Sequence, residues 1–156
     1  MDDLEIMPVE VADEDAAREV LTVQRAAYAI EAELIGFPDL PMLHETLDEL
    51  RASKESFLGA YAGGRLVGVV SWDVLEDGTV DVFRLVVDPA AHRRGVASLL
   101  LESLAAWEPT TRTIVSTGSA NAPALALYAR HGFVRVAERE VAPGVRLTDL
   151  ERREVF

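Results

Sequence analysis

The succession of strand, helix and strand between residues 79 and 116 constrains the fold of this chain more than any other feature. Residues 79–89 and 111–118 have the β-branched character of strands. Between them, residues 95–107 repeat apolar side chains at helical spacing. A strand–helix–strand connection within one sheet is right-handed and makes its two strands parallel. The segment therefore predicts one parallel strand pair with a helix packed across it.

The other strand-like stretches predict antiparallel neighbours for that pair. A Gly63-Gly64 turn joins two of them as a hairpin, and a second short turn leads on to residues 79–89, which completes a meander. Two more stretches follow at the C-terminal end, separated by a turn. The predicted strands are 4–11, 56–62, 65–75, 79–89, 111–118, 133–141 and 145–156.

Four helices are predicted between these strands. The first starts at Asp13, and the glycine and prolines of residues 36–41 end it. One face of it repeats apolar side chains every three or four residues: Ala16, Val20, Val23, Ala27, Ile30 and Leu34. The others are 42–53, 95–107 and 121–132. The order β, α, α, β, β, β, α, β, α, β, β predicts an α+β fold with a mixed, mostly antiparallel sheet flanked by helices on both faces.

Length, charge and composition narrow the classes of function. The 156 residues carry a net charge of −12 and no cysteine, so nucleic acids are poor partners and disulfides or thiolate metal sites are excluded. No apolar run reaches the roughly 18 residues of a membrane span, and the acidic N-terminal stretch is unlike a signal peptide. No spacing of histidine and carboxylate residues suggests a metal site. We expect one domain, 1–156, in a cytoplasmic protein that binds neither a membrane nor nucleic acid.

Residues 86–98, VVDPAAHRRGVAS, place two arginines where a strand gives way to a helix. The first amide groups of a helix have no internal partner, and the helix dipole adds partial positive charge there. Gly95 allows a ligand close to the backbone, and Arg93 and Arg94 carry charges suited to phosphate oxygens. The stretch indicates an anion site, with a diphosphate as its natural ligand. It is also compatible with a solvated loop before an ordinary core helix.

This stretch and a second one resemble a known family. VVDPAAHRRGVASLLL is similar to the acetyl-CoA-binding motif of the GNAT superfamily of acyl-CoA N-acyltransferases, in which Gln or Arg is followed by two residues, Gly, one residue, then Gly or Ala. Gly95 and Ala97 match this pattern, whereas His92 departs from it. The later segment NAPALALYARHGF matches a further pattern of the family at these positions: Asn121, Ala124, Leu127, Tyr128, Gly132 and Phe133.

The resemblance implies an acyl-CoA N-acyltransferase fold in which two adjacent parallel strands splay apart around acetyl-CoA. It implies an N-acetyltransferase that moves an acetyl group to a primary amine of a small molecule, peptide or protein by direct attack on the thioester. Tyr128 would stabilise or protonate the departing thiolate, and the amide of Val87 would bind the carbonyl oxygen. A homodimer would be in keeping with the family. The implied coenzyme A contacts are Leu85, Val86, Val87, His92, Arg93, Arg94, Gly95, Val96, Ala97, Ser98, Asn121 and Tyr128.

Two questions stay open at the level of sequence. The base that takes the proton of the amine has no fixed position in the family, and the candidates are Glu31, His44, Glu45 and Asp81. The function also has alternatives: a non-catalytic acyl-CoA-binding or regulatory module with the same fold, or a nucleotide-binding α/β domain. The meander at 56–88 disagrees with the last of these, because such a domain alternates strands and helices.

Overall fold

The computed structural model describes residues 3–37 and 41–154, and it confirms the mixed sheet. Seven strands follow one another in the order β1-β2-β3-β4-β5-β7-β6. The pair β4–β5 is parallel and every other pair is antiparallel. The strands are β1 Leu4–Pro8, β2 Ser56–Ala62, β3 Arg65–Val74, β4 Val80–Val87, β5 Arg112–Gly118, β6 Val134–Ala142 and β7 Val145–Arg153.

The helices follow the predicted order, with one correction. The helices are α1 Glu14–Ile35, α2 Leu47–Arg51, α3 Val96–Trp107 and α4 Ala122–Arg130. The prediction of one continuous helix over 42–53 is wrong. Pro41–His44 form a 3-10 turn, and Thr46 then starts α2 through a reciprocal capping box with Glu49. Residues 38–40 of the predicted helix break, and residues 155–156 of the last predicted strand, lie outside the described residues.

Helices cover the sheet on both faces, as predicted. Successive side chains of a strand point to opposite faces, so β3 contributes to two cores. Val67, Val70 and Trp72 pack with α3 and α4, whereas Leu66 and Val69 pack with α1 and α2. No helix within the described ranges is long and apolar enough to cross a membrane.

A bulge in β4 opens the sheet between the two parallel strands. Trp72 of β3 pairs with Val82, and Ser71 pairs with Arg84, so Phe83 has no opposite residue. Such an extra residue bends its strand and can end pairing on the far side. Pairing between β4 and β5 indeed stops at Val82, although both strands continue. The predicted splayed parallel strands are therefore confirmed.

Candidate active site

A cavity of about 610 Å³ lies where β4 and β5 separate. Its walls come from the last residues of β4, the second half of α1, the loop before α3, the first turn of α3 and the first turns of α4. Ten of the twelve sequence-predicted cofactor residues line it: Leu85, Val86, Val87, His92, Arg93, Gly95, Val96, Ala97, Ser98 and Asn121. Arg94 and Tyr128 are not in the lining.

The N-terminus of α3 faces this cavity without a side-chain cap. The helix starts after Gly95, whose φ of 73° is left-handed and which makes no capping hydrogen bond. The amide groups of the first turn therefore lack both intrahelical and side-chain partners. Arg93 is also left-handed, with φ of 66°, and its exposed side chain lies beside the same turn. The arrangement gathers amide dipoles and a cation at one end of the cavity, as an anion site requires.

Close packing against β3 fixes the position of that turn. A Cβ atom on Gly68 would come within 2.7 Å of Val96 Cγ1 and 3.2 Å of the carbonyl oxygen of Val86. The missing side chain thus lets α3 lie directly on the strands at its first turn. His131, which ends α4, adds a second tie, because its Nε2 lies 2.9 Å from Ser98 Oγ.

The side chain of Asn121 caps α4 and also lines the cavity. Its Oδ1 accepts a hydrogen bond from the amide of Ala124 at 3.2 Å, which caps α4. The residue is 8% exposed and also lines the cavity. Asn121 therefore caps α4 and also lies beside the predicted ligand.

Tyr128 lies in the core behind the cavity. It is 5% exposed, and its ring meets Phe133 edge to face at 5.4 Å between centroids. Burial, and secondly the negative charge of Glu31, raise the pKa of Tyr128 above its ordinary value. The phenol consequently keeps its proton at neutral pH. Its neighbours Ala124 and Leu127 on α4 reach the cavity surface, as do Pro123, Ala126 and Arg130 of the same helix.

α1 brings a carboxylate to the same cavity. Glu31 is half-buried and lines it together with Asn121. Burial raises the pKa of Glu31, and interaction with the Asn121 side chain acts in the opposite direction. Tyr28, one turn earlier, is buried, and burial followed by the charge of Glu31 raises its pKa. Tyr28 is not among the sequence-predicted site residues, although its three-residue spacing from Glu31 places both on one face of the helix.

The predicted apolar face of α1 is correct in its first half and differs in its second. Val20 and Val23 are buried, whereas Ile30 and Leu34 are exposed and line the cavity. The apolar repeat therefore continues past the core onto the wall of the site. A helix-period pattern cannot distinguish these two environments, because both need apolar side chains.

A buried ion network lies beside the site, centred on Arg84 of β4. This side chain is only 2% exposed and donates to both carboxylate oxygens of Glu55, at 2.9 and 3.0 Å. It also donates to Glu45 Oε2 at 3.0 Å and to Gln24 Oε1 at 2.8 Å, and its guanidinium lies over the ring of Phe57. The network thus ties α1 and the segments before α2 and β2 to β4. Sequence reasoning missed it; the one signal was a cation within an apolar strand.

The other candidate bases lie in less suitable places. Glu45 accepts hydrogen bonds from Arg84 and from Gln24, the latter at 2.7 Å. Asp81 pairs with Ile114 in the part of β4 that still bonds to β5. Burial, then the charge of Asp73, raise the pKa of Asp81. His44 belongs to the 3-10 turn before α2 and is not in the cavity lining.

Comparison with known proteins identifies what this arrangement resembles. The sequence model of the acetyltransferase (GNAT) family matches residues 19–133. The UPF0157 protein YqkA of Bacillus subtilis (strain 168) is 36% identical over 133 residues, which is 85% of this chain. The chain spans only 38% of the length of that relative.

Solved structures of low sequence identity share the fold. PaiA N-acetyltransferase from Thermoplasma acidophilum, solved in complex with coenzyme A, aligns with a TM-score of 0.77 and 14% identity over 97% of this chain and 99% of that one. The ribosomal-protein-S18-alanine N-acetyltransferase from Escherichia coli aligns with a TM-score of 0.76 and 17% identity over 97% and 94% of the two chains.

Proposed function

The chain belongs to the acetyltransferase (GNAT) family, and from this premise we propose that it transfers an acetyl group from acetyl-CoA to a primary amine. The acceptor is an amine of a small molecule, a peptide or a protein. One observation carries the proposal. The end of β4 past its last pair with β5 and the uncapped N-terminus of α3 line a single cavity, which suits a ligand with a diphosphate and a long thioester arm.

The diphosphate would bind to the amide groups between Arg93 and Ser98. These amides carry the positive end of the α3 dipole, and Arg93 supplies a full charge. The pantetheine arm would lie along residues Leu85–Val87. β4 pairs with β3 on one side of this segment, while no pairing with β5 extends past Val82 within the described strands. The exposed edge of β4 can therefore bond to the amides of pantetheine as a neighbouring strand would.

The proposed chemistry uses the backbone amide of Val87 in the cavity wall and the phenol of Tyr128 behind that wall. The nitrogen of a neutral amine attacks the thioester carbonyl, and a C–N bond forms to give a tetrahedral intermediate whose oxygen the amide of Val87 can bind. The C–S bond then breaks and its electron pair goes to sulfur. The phenol of Tyr128, which is protonated at neutral pH, can stabilise this thiolate by a hydrogen bond or give it a proton.

Binding and turnover together test the proposal. Calorimetry should show that the protein binds coenzyme A and prefers it to adenosine nucleotides that lack pantetheine. Release of free thiol from acetyl-CoA should then depend on added primary amine, across a panel that includes alkylamines, diamines and peptides with free α-amino groups. Coenzyme A binding without amine-dependent thiol release would support the non-catalytic module instead. Equal affinity for the nucleotides would support a nucleotide-binding domain.

A further inference from the structure

One carboxylate of the cavity lining stands apart from the other candidate bases. Glu31 is half-buried on α1 and shares the cavity with Leu85–Val87, the strand segment along which the thioester arm is proposed to lie. Its charge also acts on the buried phenols Tyr28 and Tyr128. The carboxylate and the proposed acid Tyr128, which lies behind the cavity wall, are thus electrostatic neighbours.

The other carboxylates near the cavity are committed elsewhere. Both oxygens of Glu45 accept hydrogen bonds from the buried guanidinium of Arg84, so this carboxylate is held in the ion network. Asp81 lies where the two parallel strands are still bonded together, and it is not among the lining residues. Glu33 is on α1 as well, but it is exposed and outside the lining. Within the described ranges, Glu31 is the acidic residue that the cavity surface contains.

We propose that the Glu31 carboxylate is the catalytic base of this enzyme, accepting the proton that the acceptor amine loses as it attacks the thioester. The role rests on the proposed function, since it requires an amine and acetyl-CoA in this cavity. The nitrogen forms its bond to the acetyl carbon, its N–H electron pair stays on nitrogen, and the proton passes to a Glu31 oxygen. Tyr128 supplies a different proton, to sulfur, when the C–S bond breaks. The immediate products are an amide, a free thiol, a protonated Glu31 and the phenolate of Tyr128; Glu31 then loses its proton to water, and Tyr128 takes one back from water.

The surroundings of Glu31 suit this task. Burial makes the carboxylate a stronger base than an exposed one, while the neighbouring Asn121 side chain favours its charged form. The proposed base is then the ionised carboxylate of Glu31, and the proposed acid is the protonated phenol of Tyr128. Each group has the protonation state that its step requires.

The matched pair Glu31→Gln and Glu33→Gln tests the assignment on the full chain. We expect Glu31→Gln to lower kcat by about 100-fold or more, the usual contribution of a general base. The affinity for coenzyme A should stay within about twofold, because glutamine keeps the side-chain shape and can still hydrogen-bond to Asn121. Glu33→Gln should match the wild type, since Glu33 is exposed on the same helix. Acetyl-CoA and the most active amine of the panel are the substrates.

The pH dependence separates a base from a structural residue. With the amine concentration expressed as its neutral form, kcat/KM of the wild type should fall as the pH drops through the raised pKa of Glu31, because only the ionised carboxylate can accept a proton. That acidic limb should disappear in Glu31→Gln. If the glutamine variant fails to fold, Glu31→Asp is used in its place. The acidic limb of its pH profile should persist while kcat falls, because the carboxylate remains but lies farther from the substrate.

Three outcomes would overturn the assignment. Activity of Glu31→Gln within about threefold of the wild type, with the acidic limb intact, would show that another group takes the proton. A loss of coenzyme A affinity that accounts for the whole loss of activity would make Glu31 a binding residue. A wild-type protein that transfers acetyl to no amine would refute the proposed function and this role together. The first two outcomes differ from this one because the wild type is active in both.

Discussion

Replacing Arg84 with methionine tests how strongly the buried ion network holds the fold together. The guanidinium is 2% exposed and makes charge-assisted hydrogen bonds to Glu45 and Glu55. Removing one partner of a buried ion pair costs about 3–5 kcal/mol, because the remaining charge stays buried without compensation. Here one cation serves two carboxylates, so we expect the upper part of that range. At about 2–4 °C per kcal/mol for a chain of this length, a loss of about 4–5 kcal/mol should lower the melting temperature by roughly 8–20 °C.

Denaturant unfolding at neutral pH, followed by circular dichroism, measures this loss. The matched control is the triple variant with Arg84→Met, Glu45→Gln and Glu55→Gln, which removes the stranded charges along with the cation. It should recover most of the lost stability, because a neutral network of similar shape leaves no buried charge uncompensated. A single-variant loss below about 1 kcal/mol, or a triple variant no more stable than the single one, would refute the reasoning.

The same argument predicts how the stability loss of Arg84→Met changes with pH. Burial acts to raise the pKa of Glu55, but hydrogen bonds and charge from Arg84 outweigh it and hold that pKa below its ordinary value. In the wild type, Glu55 therefore contributes stability above its unfolded pKa, and this is lost as the pH falls through the lower folded pKa. Without Arg84, burial is unopposed by a cation and should raise the folded pKa instead. The deficit of Arg84→Met should consequently shrink as the pH falls.

Two further changes test the cofactor end of the cavity. At Gly95, both Asn and Asp tolerate a left-handed φ, so their comparison isolates charge. Gly95→Asp should weaken coenzyme A binding at least about fivefold relative to Gly95→Asn in calorimetry, the effect of about 1 kcal/mol of repulsion from the diphosphate. Equal affinities would place the diphosphate elsewhere. Tyr128→Phe should lower kcat at unchanged coenzyme A affinity, because it removes the acid and keeps the ring against Phe133. Unaltered turnover would remove Tyr128 from the mechanism.

Much of the fold was predictable because it depends on local periodicity. The crossover at 79–116 dictated the parallel pair, and the alternation of hairpins dictated the antiparallel rest. The prediction of a continuous helix over 42–53 is wrong because a capping box interrupts that range. The capping residues Thr46 and Glu49 were visible in the sequence and mark a new helix start in the middle of that range.

Part of the candidate site was also predictable from the sequence, and part was not. Motif spacing located the helix terminus at Gly95 and the cavity residue Asn121, since both lie within short continuous segments. The network of Arg84 could not be located, because its partners Glu45 and Glu55 are separated from it by 39 and 29 residues. Periodicity carries no information about which distant elements a charged side chain will meet.

The bulge at Phe83 links the cavity, which the sequence predicted, to the Arg84 network, which it did not. Val80 and Val82 pack with the α3 side of the sheet, and strict alternation would send Val86 there as well. The extra residue reverses the alternation, so Val86 packs with the α1 side and Arg84 turns toward Gln24 of α1. The same distortion ends the pairing with β5 and opens the cavity. One inserted residue in β4 therefore both buries the cation that holds the α1 side of the site and exposes the strand edge along which the thioester is proposed to lie.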